Sequence, residues 1–254
     1  MNSALAAAAT LVASAFCLST LDRWLRRRRP HELAWTVSLA LFALGSGALW
    51  WAEAGGWNLG TFRVFYMAGA VLNVPWLALG TVYLLAGPRL GNQVRSLLVL
   101  LSGFTAGVVL FAPTRADVSG TELPTGKEVF GVAPRVLAGV GSGVAAVVII
   151  VGALWSAWRV WRGANPSLGG ARVVTAPRRL VLGNLLIAGG TLILSASGTL
   201  AGRLGKDRAF ALTLLVGIVV LFAGFLVASA APRPLPISTR VGVDTGPEPG
   251  SAPT

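Results

Sequence analysis

Histidine and cysteine are almost absent from this chain, which has only His31 and Cys17. A single cysteine excludes an intrachain disulfide and any cysteine-built metal site. A single histidine, beside an arginine run, excludes His-based zinc sites and a Ser-His-Asp triad inside an apolar body. The stretch LVASAFC is like a lipoprotein box only in outline, because Phe16 stands directly before Cys17 where a small residue belongs. Charge is also scarce: 12% of residues are charged, about half the usual globular share. Acidic residues are fewest, with 9 Asp plus Glu. None falls in the middle of an apolar run, where proton-driven transport needs a carboxylate or histidine. The clusters of acids or histidines that an embedded enzyme uses are missing as well. No cofactor or metal is expected, and the reading leans away from catalysis.

What is present is apolar surface in long runs. Hydrophobic residues make up 54% of the 254, and the mean hydropathy is +0.72. Runs of about 20 residues recur, long enough to cross a hydrocarbon core about 30 Å thick. They do not alternate as the short strands of a membrane barrel do. The expected class is an all-α membrane protein, a seven-transmembrane helix bundle. The spans are read at about 3–21, 33–54, 62–86, 95–112, 135–157, 180–201 and 209–231. The seven together form one domain, 1–231. A tail at 232–254, rich in Pro, Gly, Ser and Thr, is expected to be disordered and cytoplasmic.

Direction follows from the basic residues. All but two of the 21 are arginine, a bias that fits a high-GC bacterial genome. The Ala-rich first run lacks the positive segment that precedes a signal-peptide core; its charge comes afterwards, in DRWLRRRRPHE. Placing the N-terminus outside puts Arg23, Arg26–Arg29, Arg89, Arg95, Arg159, Arg162, Arg172, Arg178, Arg179, Arg233 and Arg240 on the cytoplasmic side. Half as many basic residues then lie outside: Arg63, Arg115, Lys127, Arg135, Arg203, Lys206 and Arg208. That asymmetry obeys the positive-inside rule with the C-terminus in the cytoplasm. The expected location is a bacterial inner (cell) membrane, multi-pass. The basic inner loops are read as contacts for anionic lipids, and nucleic acid is not an expected partner.

A few polar positions interrupt the apolar runs. At 100° per residue, Arg63, Tyr66, Ala70, Asn73, Leu77 and Thr81 share one sector of span three. Pro75 should kink that span and free a carbonyl near Val71. Asn184, Thr191, Ser195 and Thr199 make a matching stripe in span six, and Trp35, Ser38, Phe42, Leu49 and Glu53 one in span two. Turned inward, these stripes enclose a mildly polar interior. The candidate ligand-binding set is Glu53, Arg63, Tyr66, Asn73, Asn184, Thr191 and Ser195. Glu53 and Arg63 flank the turn GGWNLG, where they either staple the hairpin or hold an anionic group. Asn73 either joins helices by hydrogen bonds or faces a cavity. Gly139 and Gly143 form GxxxG, a motif for close helix approach. The segment WRVWRG anchors its helix at the interface. The loop TRADVSGTELPTGKEVFGVAP is expected to be irregular and to cap the outer mouth.

Seven spans in this orientation are similar in layout to the sensory modules found ahead of bacterial histidine kinases. Microbial rhodopsins share that layout, but their retinal lysine has no counterpart in RAFALTLLVGIVVLFAGFLVASA. The segment AWTVSLALFALGSGALWWAEAGGWNLGTFRVFYMAGAVLN resembles, over spans two and three, uncharacterised multi-pass membrane proteins of high-GC bacteria. The expected function is a non-enzymatic integral membrane protein. It would sense or bind a small apolar or lipid-like molecule, or scaffold a membrane partner. A transporter or channel subunit is the alternative.

Overall fold

The computed structural model describes residues 2–120, 122–162, 177–200 and 206–229, and the side chains of Asn184 and Ser195 fall outside that description. The predicted tail, 232–254, also lies outside it. Among the described residues the chain is helical, with no strand beyond one isolated bridge between Thr114 and Phe130. The order is α1 (Asn2–Arg27), α2 (Pro30–Gly55), α3 (Leu59–Phe65), a π-helical segment (Tyr66–Leu72), α4 (Asn73–Phe111), α5 (Gly126–Val129), α6 (Val132–Trp161), α7 (Pro177–Leu200) and α8 (Lys206–Ser229). Among the described residues five stretches are long and apolar enough to cross a bilayer: Ser3–Arg27, Pro30–Gly55, Leu59–Phe111, Val132–Arg159 and Phe210–Val227. The apolar part of α7, Val181–Leu194, is shorter. This is the make-up of an integral membrane protein.

The stretch Leu59–Phe111 is 53 residues long. Drawn straight it would reach about 80 Å, far more than a bilayer core of about 30 Å. It does not run straight. Gly87 sits inside α4 at φ 81° and ψ 177°, a conformation open to glycine alone, and Pro88 follows it. Proline is well placed as the first residue of a new helical arm, where its missing N–H is no loss. The two arms then lie back to back. Tyr83 Oη donates to Asn92 Oδ1 at 2.9 Å, Trp76 Nε1 to Ser102 Oγ at 3.2 Å, and Arg63 Nη2 to the Ala112 carbonyl at 2.8 Å. The sequence reading placed a loop between residues 86 and 95. The chain reverses there at one non-helical residue.

Each end of the bundle has its own character. At one end the α2–α3 turn, the 113–131 connection and the start of α8 meet in an aromatic layer. Trp57 N donates to Gly120 O at 2.7 Å, Tyr66 Oη to Pro134 O at 3.5 Å, and the Phe65 and Phe210 rings are 6.0 Å apart. Phe62 and Phe130 stack at 5.5 Å, both fully buried. The connection is more ordered than an irregular loop: Thr125 and Glu128 form a capping box over α5, and Arg115 N donates to Val129 O. It packs over this end of the bundle through the Trp57–Gly120 and Tyr66–Pro134 bonds. The opposite end carries Arg26–Arg29 between α1 and α2 and the Gly87–Pro88 turn. At the end of α6, Arg162 lies 4.1 Å above the Trp158 ring and Trp155 packs beside it. Aromatic rings with flanking arginines suit a headgroup layer.

Helices in lipid gain little from apolar burial, so close approach of small residues and interhelical hydrogen bonds hold them together. A Cβ on Gly45 would stand 3.0 Å from Gly69 N, and one on Gly190 would stand 2.7 Å from Leu221 N. A Cβ on Gly80 would collide with the Trp35 indole. The GxxxG pair Gly139 and Gly143 is different: nothing lies within 4 Å of either position. Among the described residues it packs against no neighbouring helix. Between the layers, Phe16, Leu39, Phe42, Leu77, Ile149, Ile218, Leu221 and Phe225 form the apolar middle of the bundle.

Candidate functional site

Pro75 breaks the hydrogen-bond ladder in the first arm of the reversed hairpin, and the polar residues of the interior gather around that break. Proline has no N–H, so one carbonyl upstream of it must be orphaned. In an α-helix that carbonyl would be Val71. Here the turn before Pro75 is π-helical, with Asn73 N–H bonded to Ala68 O five residues back. In that register the carbonyl paired with position 75 is Ala70, one residue earlier than the sequence reading placed it. Ser142 of α6 supplies the missing donor: its Oγ lies 2.5 Å from Ala70 O. The residue that repairs the break stands inside the GVGSG stretch, where attention had gone to the glycines.

Asn73 faces the other neighbour. Ser38 of α2 lies 2.9 Å from Asn73 O and 2.8 Å from Asn73 Oδ1, donating its one proton across both. Ser38 is 1% exposed and Asn73 8%. Such a bond between buried groups ties α2 to the break, and bonds of this kind average about 0.6 kcal/mol between membrane helices. Around it lies a cavity of about 20 Å³, lined by Ser38, Leu39, Phe42, Asn73, Val74, Leu77, Thr191, Leu194, Ile218 and Leu221. Thr191 is 2% exposed and donates to Ile187 O at 2.8 Å.

The predicted stripe of span three therefore splits. A π turn advances each residue by less than 100°, so positions before and after it no longer share a face. Tyr66 turns into the aromatic end, against Phe62 and Phe130. Asn73 turns toward Ser38 and the cavity. Of the seven candidate residues, Asn73 and Thr191 line this one cavity, and Arg63, Glu53 and Tyr66 do not. Arg63 sits at the hairpin's open end, closing it on Ala112. Glu53 lies in the last turn of α2 with both carboxylate oxygens shielded from solvent. Asn184 and Ser195 are in α7, with their side chains outside the described residues.

One charged residue escaped the sequence reading. Glu32, in the first turn of α2, is 5% exposed. Its carbonyl accepts from Thr36 Oγ1, which also donates to Thr20 Oγ1 of α1 at 3.1 Å. A carboxylate in a first helical turn is favoured by the helix dipole, and Arg23 of α1 acts on it across the α1–α2 contact. Its place between a proline and an apolar run was the available signal. Among the described residues no group of three or more His, Cys, Asp or Glu is placed to hold a metal ion.

No protein-family model, no curated protein and no solved structure matches this chain.

Proposed function

We propose that the chain is a seven-span, multi-pass protein of a bacterial inner membrane, with the N-terminus outside and the C-terminus in the cytoplasm. Its work is to scaffold a membrane partner and not to transform a substrate. The count follows if the two arms of Leu59–Phe111 are taken as separate spans and α7 as another beside the four remaining long helices. The orientation follows from the arginines of the α1–α2 and Gly87–Pro88 turns, which the positive-inside rule assigns to the cytoplasm together with anionic lipids.

One observation carries the functional reading: the interior cavity measures about 20 Å³, against about 300–1,000 Å³ for small-molecule sites. A lipid-like or drug-sized molecule does not fit this cavity, where the candidate residues Asn73 and Thr191 meet. That favours recognition, of a partner or of a small apolar or lipid-like molecule, at the outer surface.

Extraction into native nanodiscs without detergent, followed by mass spectrometry of the purified particles, tests the reading. A second membrane protein should be recovered in fixed ratio and should be lost on detergent exchange. The competing reading, a transporter or channel subunit, requires substrate flux in proteoliposomes that both Asn73→Ala and Asn184→Ala reduce. Such flux would displace the scaffold.

A further inference from the structure

We propose that the cavity between α2, α4, α7 and α8 is a binding site for a single water molecule held at the proline break. Size is the first argument. A volume of about 20 Å³ exceeds the roughly 10–15 Å³ that one water requires and leaves no room for a second.

Bonding capacity is the second argument. A buried water makes about three hydrogen bonds, and three side chains in the wall have complementary groups to offer. Ser38 spends its only proton on Asn73, so its oxygen retains lone pairs that accept. Thr191 spends its proton on Ile187 O, so its oxygen accepts as well. Asn73 uses its carbonyl oxygen toward Ser38, which leaves the two amide N–H groups as donors. One water donating to Ser38 and Thr191 and accepting from Asn73 completes this set. All three side chains are at least nine-tenths buried. The remaining wall, Leu39, Phe42, Val74, Leu77, Leu194, Ile218 and Leu221, is apolar and offers no competing partner.

The site has a mechanical consequence. α7 makes no hydrogen bond to the break through Thr191 itself, because that hydroxyl points its proton along its own helix. The water links α7 to the Ser38–Asn73 bond and so joins three helices at the point where the backbone ladder is interrupted.

X-ray hydroxyl-radical footprinting of the full chain in nanodiscs tests this directly, since radicals form at ordered waters and label the side chains beside them. Phe42 and Leu77 should be labelled several-fold faster than Phe62 and Leu49, which are also buried but do not line this cavity. Equal rates would overturn the proposal. A thermal melt gives an independent sign. Thr191→Val keeps the shape and removes one water partner, so it should lower the melting temperature by a few degrees and slow the labelling of Phe42, with Thr191→Ser restoring both. An unchanged or raised melting temperature would mean a dry cavity and would also overturn it. Neither readout depends on a partner protein, so this test can fail while the scaffold reading stands.

Discussion

Pro75 and Pro88 lie in the same apolar run, yet one is passed through and the other marks a full reversal. The residues around them explain the difference. At Pro75 the helix widens into a π turn, the orphaned Ala70 carbonyl is met by Ser142, and the axis continues. At Pro88 the preceding residue is Gly87, at a positive φ that side chains resist, and the next arm starts afresh. A proline alone costs a helix one bond, which a neighbour can repair. A glycine in the mirror region of backbone space changes the direction of the chain.

The largest effect should come from breaking the reversal. Gly87→Val places a branched side chain at φ 81°, at a strain of about 1–3 kcal/mol. Cysteines at positions 76 and 102, where Trp76 and Ser102 now bond across the hairpin, should be bridged by a short bifunctional thiol reagent in the parent background and lose yield in the variant. The next effect should come from removing the repair at Pro75. Ser142→Ala leaves the Ala70 carbonyl unpaired, at about 1–3 kcal/mol, read as reduced resistance to unfolding in mixed micelles. Adding Pro75→Ala should cancel most of that loss, because alanine supplies an N–H; equal losses in both backgrounds would break the comparison. Ser38→Ala should cost less, near 0.6 kcal/mol, since Asn73 retains other donors and acceptors. Smallest of all, Arg63→Ala removes one partly buried bond to the Ala112 carbonyl and should cost about 0.5 kcal/mol, the low end for a single hydrogen bond. Charge reversal at Glu53 and Arg63 tests whether the two act together: each single change should destabilise and the double swap recover stability only if they do.

What could be read from the sequence divides along the same line. Apolar length identified the helices, and the arginine blocks marked one end, because both are local properties. Pro75 predicted a break for the same reason. The register of that break was not local: which carbonyl is freed depends on whether the turn is α or π, and the π turn shifts the answer from Val71 to Ala70. Ser142 could not be picked out as the repairing donor, since its partner lies 72 residues away in a different helix. Gly139 and Gly143 have the spacing of a packing motif, but the close contacts fall instead at Gly45, Gly80 and Gly190. Spacing says that a glycine can be approached; only the topology says by what. Asn73 and Thr191 were legible as polar residues in apolar runs. Their meeting at one cavity, without Arg63, followed from the face shift across Tyr66–Leu72.

The capped mouth implies something about time. The amide of Trp57 is bonded to Gly120 O and that of Arg115 to Val129 O, although both residues lie in connections between helices. Amides of ordinary loops exchange with solvent deuterium almost at once, whereas amides in a cooperative unit wait for that unit to open. Trp57, Arg115, Val129 and Phe130 should therefore exchange together and slowly, as one unit with the ends of α2 and α3. The mouth is then a small folded body in its own right, and its opening rate sets how often the aromatic layer beneath it meets water.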